Sequence, residues 1–236
     1  MKTIGLIGGM SWESTVTYYQ IINEVVRERL GGLHSARILL FSLDFEEIEQ
    51  CQARGDWEKS GNILADAALC LERAGADFIV ICTNTMHKVA PRIQNRIRIP
   101  LLHIAEATTE RLKAANITRV ALLGTKYTMT QDFYKEKLLV TGMDVLIPED
   151  SEVEQINRVI YDELCKGIFS EASKAVYLEI VERLAKKGAQ GIILGCTEIG
   201  LLIGQADTDL PLFDTARIHA EKAALLSIEA ETGAIN

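Results

Sequence analysis

Two short segments place a thiol or hydroxyl beside small polar side chains that can bind a carboxylate. They are Gly-Cys-Thr-Glu at 195–198 and Cys-Thr-Asn-Thr at 82–85. Each follows an apolar run and precedes a predicted helix, whose free N–H groups favour anions and lower the pKa of a nearby thiol. A thiolate in such a place can remove a weakly acidic proton. We therefore predict that Cys196 is a catalytic base, and that the other cysteines only pack.

Two glycine-containing segments, 8–15 and 124–129, are predicted to belong to the same site, because each follows a predicted strand. Their glycines allow tight turns, and their hydroxyl and amide groups can hold a carboxylate. Met10, Ser11 and Thr125 are the candidate substrate-binding residues in these segments.

The elements that must position these residues alternate in type along the chain. Short β-branched runs predict strands at 3–7, 36–43, 77–82, 99–103, 119–123, 143–147, 190–194 and 210–213. Longer amphipathic stretches between them predict helices. This alternation is typical of parallel sheets covered by helices, so we predict an α/β fold.

The chain also carries an internal repeat. Residues 3–8 resemble 119–124, 75–83 resemble 188–196, and 99–102 resemble 210–213, all at nearly the same offset. The repeat predicts two similar α/β domains related by a pseudo-twofold axis. Ligands of open α/β sheets bind beyond the carboxyl ends of the strands, so we expect the active site in the cleft between the domains.

The repeat also aligns Thr83 with Cys196 and Cys82 with Gly195. Neighbouring residues of a strand point to opposite faces, so Cys82 and Thr83 cannot both face the cleft. We therefore expect Thr83 to face the substrate and Cys82 to lie in the core.

Composition excludes several classes of function. The 236 residues carry a net charge of −8, which argues against nucleic-acid binding. No apolar run is long enough to cross a membrane, and no signal peptide precedes the first strand, so a cytoplasmic protein is expected. The five cysteines are scattered without a C-x-x-C pair, so neither disulfides nor zinc is predicted. The glycines at 5, 8 and 9 match a dinucleotide fingerprint poorly.

The motifs together resemble the aspartate/glutamate racemase family. They are 7–15, 84–87, 123–125 with 128–129, and 195–198, and they span nearly the whole chain. The resemblance implies two similar α/β domains, no pyridoxal phosphate, metal or other cofactor, and a small acidic amino acid as substrate. It also implies a homodimer. The first domain is expected to comprise 1–97 plus 211–236, and the second 98–210.

In that family, two facing cysteines act on opposite sides of the substrate Cα, but this chain has Thr83 at the first position. The resemblance implies that Cys196 removes the proton of the L-isomer. Thr83 would complete reprotonation, directly or through water, and the initial rate would favour the L-isomer. Glu198 would orient the substrate ammonium or Cys196.

The resemblance also implies the substrate-binding residues. Asn84, Thr85 and Thr197 would bind the α-carboxylate. Lys166 would meet the distal carboxylate. The first-half arginine that often assists is absent, and Gln52 is the candidate for a neutral substitute.

Because the site has a single cysteine, other functions remain open. Cys196 could reprotonate an enolate after decarboxylation or act as a nucleophile in a cis–trans isomerase, as in other branches of the superfamily. A binding protein for small acids without catalysis is a third class. The residues suited to an acidic amino acid favour the racemase.

Overall fold

The computed structural model describes the backbone of residues 1–232 and the side chains up to Glu229. The chain divides into two compact units. The first comprises Met1–Ile104 together with the stretch that begins at His219, and the second comprises Ala105–Ile218. Each unit is a parallel sheet with helices.

The first unit contains four strands and the first helices of the chain. Their bounds are β1 (Ile4–Gly8), α1 (Trp12–Leu30), β2 (Ile38–Ser42), α2 (Phe45–Arg54), α3 (Trp57–Arg73), β3 (Phe78–Ile81), α4 (Ala90–Gln94) and β4 (Leu101–Leu102). A 3₁₀ helix, Thr85–Val89, follows the end of β3.

The second unit repeats this order with more helices. Its elements are α5 (Ile104–Ala114), β5 (Arg119–Gly124), α6 (Lys126–Thr130), α7 (Asp132–Leu139), β6 (Asp144–Leu146), α8 (Asp150–Asp162), α9 (Glu171–Lys186), β7 (Ile192–Gly195), α10 (Ile199–Leu202) and β8 (Leu212–Asp214). Two 3₁₀ helices, Leu164–Lys166 and Gln205–Asp207, lie between these elements. The helix α11 (Thr215–Thr232) begins in this unit and continues into the first.

The two sheets have the same topology, with strand orders β2-β1-β3-β4 and β6-β5-β7-β8 and parallel neighbours throughout. All eight predicted strands are present, and the predicted α/β class with two similar sheets is confirmed. β1 and β5 are central, and the strands that precede the two polar segments, β3 and β7, lie beside them.

The repeat extends to glutamine side chains that bind the backbone where the edge strands β4 and β8 begin. The amide of Gln94 donates to the carbonyl of Ile99 and accepts from the N–H of Leu101, at 3.0 and 2.9 Å. Gln205 binds the carbonyl of Leu210 and the N–H of Leu212 in the same way, at 3.0 and 3.0 Å. A glutamine side chain therefore makes the same pair of backbone hydrogen bonds at β4 and at β8.

The sheets to which β4 and β8 belong do not agree with the domain boundaries expected at 97/98 and 210/211. β4 pairs with β3 and therefore belongs to the first sheet, whereas the expected bounds would assign it to the second domain. β8 pairs with β7 and belongs to the second sheet. Backbone hydrogen bonds between strands determine which sheet β4 and β8 join. The spacing of apolar residues near the boundaries carries no information about this pairing.

Each sheet contributes to its own hydrophobic core. In the first unit, Ile7 and Ile81 pack with the buried face of α3, which includes Leu64 and Ala68. In the second, Leu194 packs among α8 and α9 with residues such as Ile180. Burial of these aliphatic side chains fixes the strands whose carboxyl ends carry the polar segments. Among the described residues, no helix is long and apolar enough to cross a membrane.

Candidate active site

Cys196 lies directly after β7, and its side chain is paired with a carboxylate. The residue is 7% exposed, and its Sγ–H donates to Oε2 of Glu198 over 3.0 Å. The hydroxyl of Thr197 donates to the same oxygen over 2.7 Å. Both partners are themselves buried. The three consecutive side chains therefore converge on one buried carboxylate oxygen.

This pairing determines the protonation of the thiol. Burial raises the pKa of Cys196 well above its usual value, and the charge and hydrogen bond of Glu198 raise it further. The expectation that a helix N-terminus lowers the pKa of this thiol is wrong, because α10 has only four residues and desolvation and the neighbouring carboxylate dominate. Cys196 therefore rests as a thiol with an acceptor for its proton already in place.

Cys165, which the sequence assigned to packing, and Tyr177, which the sequence analysis did not single out, affect or share the electrostatic surroundings of Cys196. The charge of Cys165 further raises the pKa of Cys196. Cys165 packs against the hydrophobic cluster to which Cys196 belongs. Tyr177 on α9 is fully buried, and burial and then the charges of Cys196 and Cys165 raise the pKa of its phenol. Its hydroxyl donates to the carbonyl of Ile156 over 3.3 Å. A hydroxyl on an otherwise apolar helix face was the only signal for Tyr177.

Thr125 is held by a hydrogen bond within its own helix cap, whereas Lys166 makes only a long contact with a neighbouring carboxylate. Thr125 is 6% exposed and caps α6, since its Oγ1 accepts from the N–H of Thr128 over 3.3 Å. Lys166 ends the 3₁₀ helix that begins at Leu164, and its side chain is 62% exposed. Its Nζ lies 4.0 Å from the equally exposed Asp162. An exposed pair at this distance contributes little, so the lysine can reorient toward an anion.

In the first unit, Thr83 follows the end of β3 as Cys196 follows β7. The N–H of Cys82 continues the ladder by donating to the carbonyl of Ile7 over 2.9 Å, which matches the position of Gly195 in β7. Cys82 is fully buried, and burial raises the pKa of its thiol far above the usual value. Thr83 is partly exposed. The prediction that Cys82 lies in the core is therefore confirmed.

The backbone of Thr83 is held by a histidine. His87 Nδ1 lies 2.8 Å from the carbonyl of Thr83, and its Nε2 lies 3.2 Å from the N–H of Ile104. A carbonyl can only accept and an N–H can only donate, so the proton is on Nδ1 and the ring is neutral. Burial lowers the pKa of His87 to about 4, in agreement with this tautomer. Asn84 and Thr85 lie in the turn between Thr83 and His87, and they are 2% and 4% exposed.

The loop after β1 reaches the same strand end. Ser11 caps α1 by accepting from the N–H of Ser14 over 3.3 Å. The hydroxyl of Ser14 in turn lies 3.3 Å from the carbonyl of Cys82, to which it donates. Met10 is 3% exposed and packs in the core of the first unit. Sequence reasoning missed Ser14, which joins the two loops.

Gln52 on α2 is buried within the first unit. It is 4% exposed, and its Nε2 donates to Sδ of Met86 over 3.1 Å, in the 3₁₀ helix after Thr83. Its amide therefore lies beside the segment that carries Asn84 and Thr85. The structure thus brings the predicted residues of the first unit to the carboxyl ends of β1 and β3.

Among the described residues, no three or more His, Cys, Asp or Glu side chains are grouped so that they could hold a metal ion.

Comparison with known proteins agrees with this fold. Residues 7–223 match the model of the Asp/Glu/Hydantoin racemase family. A crystal structure from Yersinia pestis, assigned to the Asp/Glu racemases, is 52% identical, with a TM-score of 0.90 over 97% of this chain and 100% of the other. An aspartate racemase homologue from Pyrococcus horikoshii OT3 is 38% identical, with a TM-score of 0.83 over 96% and 99% of the two chains.

Among curated proteins, the broad specificity amino-acid racemase RacX of Bacillus subtilis is 26% identical over 92% of this chain and 95% of its own length. The duplicated fold is that of the racemases, a class of isomerase. The chain belongs to the Asp/Glu/Hydantoin racemase family.

Proposed function

We propose that this protein interconverts the enantiomers of an acidic amino acid, aspartate, glutamate or both, by moving the Cα proton without a cofactor. The observation that carries the proposal is the hydrogen bond between Cys196 and Glu198 at the end of β7. A thiol whose proton has a buried acceptor can become a base when the substrate arrives, and it needs no external cofactor for this step.

The first half of the reaction begins with transfer of the thiol proton from Sγ of Cys196 to Oε2 of Glu198. The thiolate then takes the Cα proton of the L-isomer and becomes a thiol again, which leaves the electron pair on the substrate as a carbanion delocalised into its carboxylate. The hydroxyl of Thr197 donates to the same Oε2 and holds the carboxylate in place for this exchange.

The second half requires a proton on the opposite face of Cα, and we assign this step to Thr83. Its hydroxyl delivers a proton to Cα, directly or through a water, and takes up another from solvent. Glu198 then releases to solvent the proton that it received from Cys196, which restores the starting state. A hydroxyl is a far weaker acid than a thiol, whose reference pKa is about 8.5, so Thr83 seldom acts as a base. The initial rate therefore favours the L-isomer, whereas the equilibrium remains racemic.

Substrate binding is assigned to polar groups on both strand ends. The α-carboxylate is held by Asn84, Thr85 and Thr197, and the exposed amine of Lys166 meets the distal carboxylate. The weak contact of Lys166 with Asp162 leaves the amine available for this role. Relatives described as an aspartate racemase homologue and an Asp/Glu racemase support an acidic substrate.

The other candidate substrate-binding residues are assigned to the loops around the substrate. Met10 and Ser11 lie between β1 and α1, Gln52 lies beside the turn after Thr83, and Thr125 begins α6 after β5.

The proposal is tested by chiral chromatography of L-aspartate and L-glutamate incubated with the protein and a chelator. We expect D-isomer to form until the mixture is racemic, and Cys196→Ser to reduce the initial rate at least ~1,000-fold, as loss of a catalytic base does. Cys70→Ser, which changes an exposed cysteine of the first unit, is the matched control and keeps the rate. Absence of D-product from both substrates contradicts the proposal.

A second function is favoured by the elevated pKa of Cys196. A thiol that stays protonated at neutral pH can reprotonate an enolate left by decarboxylation of a substituted malonate. Release of carbon dioxide from such a substrate, without racemisation of aspartate or glutamate, distinguishes this function.

A further inference from the structure

The chain between α8 and α9, which we call the 163–170 loop, is folded back on itself by its first residue, Glu163. The N–H of Glu163 donates to the carbonyl of Val159 over 3.0 Å at the end of α8. Its carbonyl accepts from the N–H of Lys166 over 2.9 Å and from the N–H of Ile168 over 3.0 Å. The backbone of Glu163 therefore ties the first half of the loop to the end of α8.

The carboxylate of Glu163 holds the other end of the loop. Its Oε2 accepts from the hydroxyl of Ser170 over 3.1 Å and from the hydroxyl of Ser173 over 2.7 Å. Ser170 also caps α9, because its hydroxyl oxygen accepts from the N–H of Ser173 over 3.1 Å. The negative charge lies at the N-terminus of α9, where the helix dipole favours it, and hydrogen bonds to a charged acceptor are strong. One side chain therefore joins the end of α8 to the start of α9.

Side-chain burial contributes little to holding the outer part of the loop. Leu164 is buried and anchors its first turn, but residues 166–169 are all exposed. They include the half-exposed Ile168 and Phe169. Because these side chains leave water only in part, hydrogen bonds to Glu163 are the main contacts that fix the position of the loop.

The inner side of the same loop adjoins the candidate base. Cys165 packs against the hydrophobic cluster that contains Cys196. Burial, and then the charges of Cys196, Cys165 and Glu163, raise the pKa of the phenol of Tyr177 on α9. These three residues therefore lie around one buried tyrosine, and Lys166 follows Cys165 directly in the chain. A change in the position of the loop moves Lys166 relative to Cys196.

We propose that Glu163 is a positioning residue for substrate binding, which holds Lys166 in a fixed place relative to Cys196 by closing the 163–170 loop. The inference rests on the proposed function, in which Lys166 meets the distal carboxylate while Cys196 acts at Cα. A substrate that bridges these two residues binds more tightly when the loop is already closed, because ordering a mobile loop on binding costs affinity. Glu163 therefore acts on substrate binding and not on proton transfer.

Steady-state racemisation kinetics test this role with three variants. Glu163→Ala removes the acceptor of both serines, so we expect KM to rise ~10-fold while kcat changes less than about twofold, as loss of uniform binding does. Glu163→Gln keeps an oxygen that can accept from both hydroxyls, and its KM should stay within about threefold of the wild-type value. Glu171→Ala removes an exposed carboxylate from the first turn of α9 and is the matched control, with both constants unchanged. An unchanged KM in Glu163→Ala, or an equal rise in Glu163→Gln, overturns the inference.

A double-variant cycle with Lys166 separates positioning from a general loss of structure. In a Lys166→Met background the amine that Glu163 positions is absent, so Glu163→Ala should raise KM by less than about twofold further. If Glu163→Ala raises KM as much in this background as it does in the wild type, Glu163 does not act through Lys166 and the inference is wrong.

Hydrogen exchange of the full chain without substrate measures closure of the loop independently of activity. We expect peptides covering 164–170 to exchange at least ~10-fold faster in Glu163→Ala, because the loop opens locally, and at the wild-type rate in Glu171→Ala. Unchanged exchange in Glu163→Ala overturns the inference even where the wild type racemises its substrate. Absence of racemisation by the wild type is a separate result, which contradicts the proposed function.

Discussion

At the scale of single residues, the proposed chemistry depends on the protonation of Cys196. Glu198 has two roles at this thiol: its charge and its hydrogen bond both favour the protonated thiol at rest, and its oxygen is the proposed acceptor of the proton when the thiolate forms. The base in this account is therefore the pair of side chains. The pair remains uncharged at sulfur until the substrate arrives, which protects the thiolate from reacting with solvent species.

Replacing Glu198 by Gln separates these two effects. We expect the pKa of the Cys196 thiol to fall, because the charge that raised it is removed, while the racemisation rate drops ~100-fold for want of the proton acceptor. The rate of iodoacetamide reaction at Cys196, followed by peptide mass spectrometry across pH, measures the first effect. Lys166→Met serves as the control, with a higher KM for substrate and an unshifted thiol titration. An unchanged titration in Glu198→Gln contradicts this role.

In the proposed mechanism, the hydroxyl of Thr83 determines which enantiomer is converted faster. Thr83→Cys supplies a group that can act as a base from the other side, so we expect turnover of the D-isomer to rise at least tenfold relative to the L-isomer. Initial rates with each enantiomer measure the ratio. If the variant is folded and the ratio stays at its wild-type value, Thr83 is not the second proton-transfer group.

At the scale of elements, the turn after β3 is anchored by buried histidines of the first unit. His87 contacts two other imidazoles, with ring centroids 4.6 Å from His103 and 5.6 Å from His219. His219 Nδ1 lies 2.9 Å from the hydroxyl of Tyr18, and its Nε2 lies 2.9 Å from the carbonyl of Leu102. The Nε2–H therefore donates to that carbonyl. The chain thus ties α1, β4 and α11 to the turn that carries Thr83.

Removing His87 should loosen this turn. His87→Ala leaves the carbonyl of Thr83 and the N–H of Ile104 without their present partner, and an unsatisfied buried group costs about 1–3 kcal/mol. We expect the melting temperature to fall by roughly 5 °C and the rate to fall with it. The exposed His34→Ala is the control and should melt as the wild type does. An equal melting temperature for both variants contradicts the anchoring role.

The same histidines predict how stability depends on pH. Burial lowers the pKa of His87 to about 4 and that of His219 to about 3, from 6.5. Groups with depressed values stabilise the fold above pH 6.5, and this contribution is lost as the pH falls through 6.5 toward 4 and 3. We expect the free energy of unfolding in urea to drop by a few kcal/mol between pH 7 and pH 4. His219→Gln should flatten this slope, and a wild-type stability that is constant over the interval contradicts it.

At the scale of the whole molecule, the duplicated α/β fold could be predicted because hydrophobic periodicity and the repeat act locally in the sequence. Cys196 could be recognised from its place after an apolar run. Its raised pKa could not, since that depends on burial and on the direction of the Glu198 side chain. The assignment of β4 and β8 to their sheets depends on hydrogen bonds between distant segments, so the sequence placed both domain boundaries too early.

The histidine cluster illustrates the same limit. His87 lies within a recognisable motif, but its partners His103 and His219 come from distant parts of the chain, and only the folded first unit brings them together.

The most direct test of the account follows Cα–H loss by proton NMR in D₂O with each enantiomer of aspartate and glutamate, in the presence of a chelator. The account predicts exchange of at least one L-isomer, slower exchange of its D-isomer, and no exchange with Cys196→Ala. Exchange that survives Cys196→Ala, or no exchange with any of the four substrates, contradicts the claim that the Cys196 thiol removes the proton.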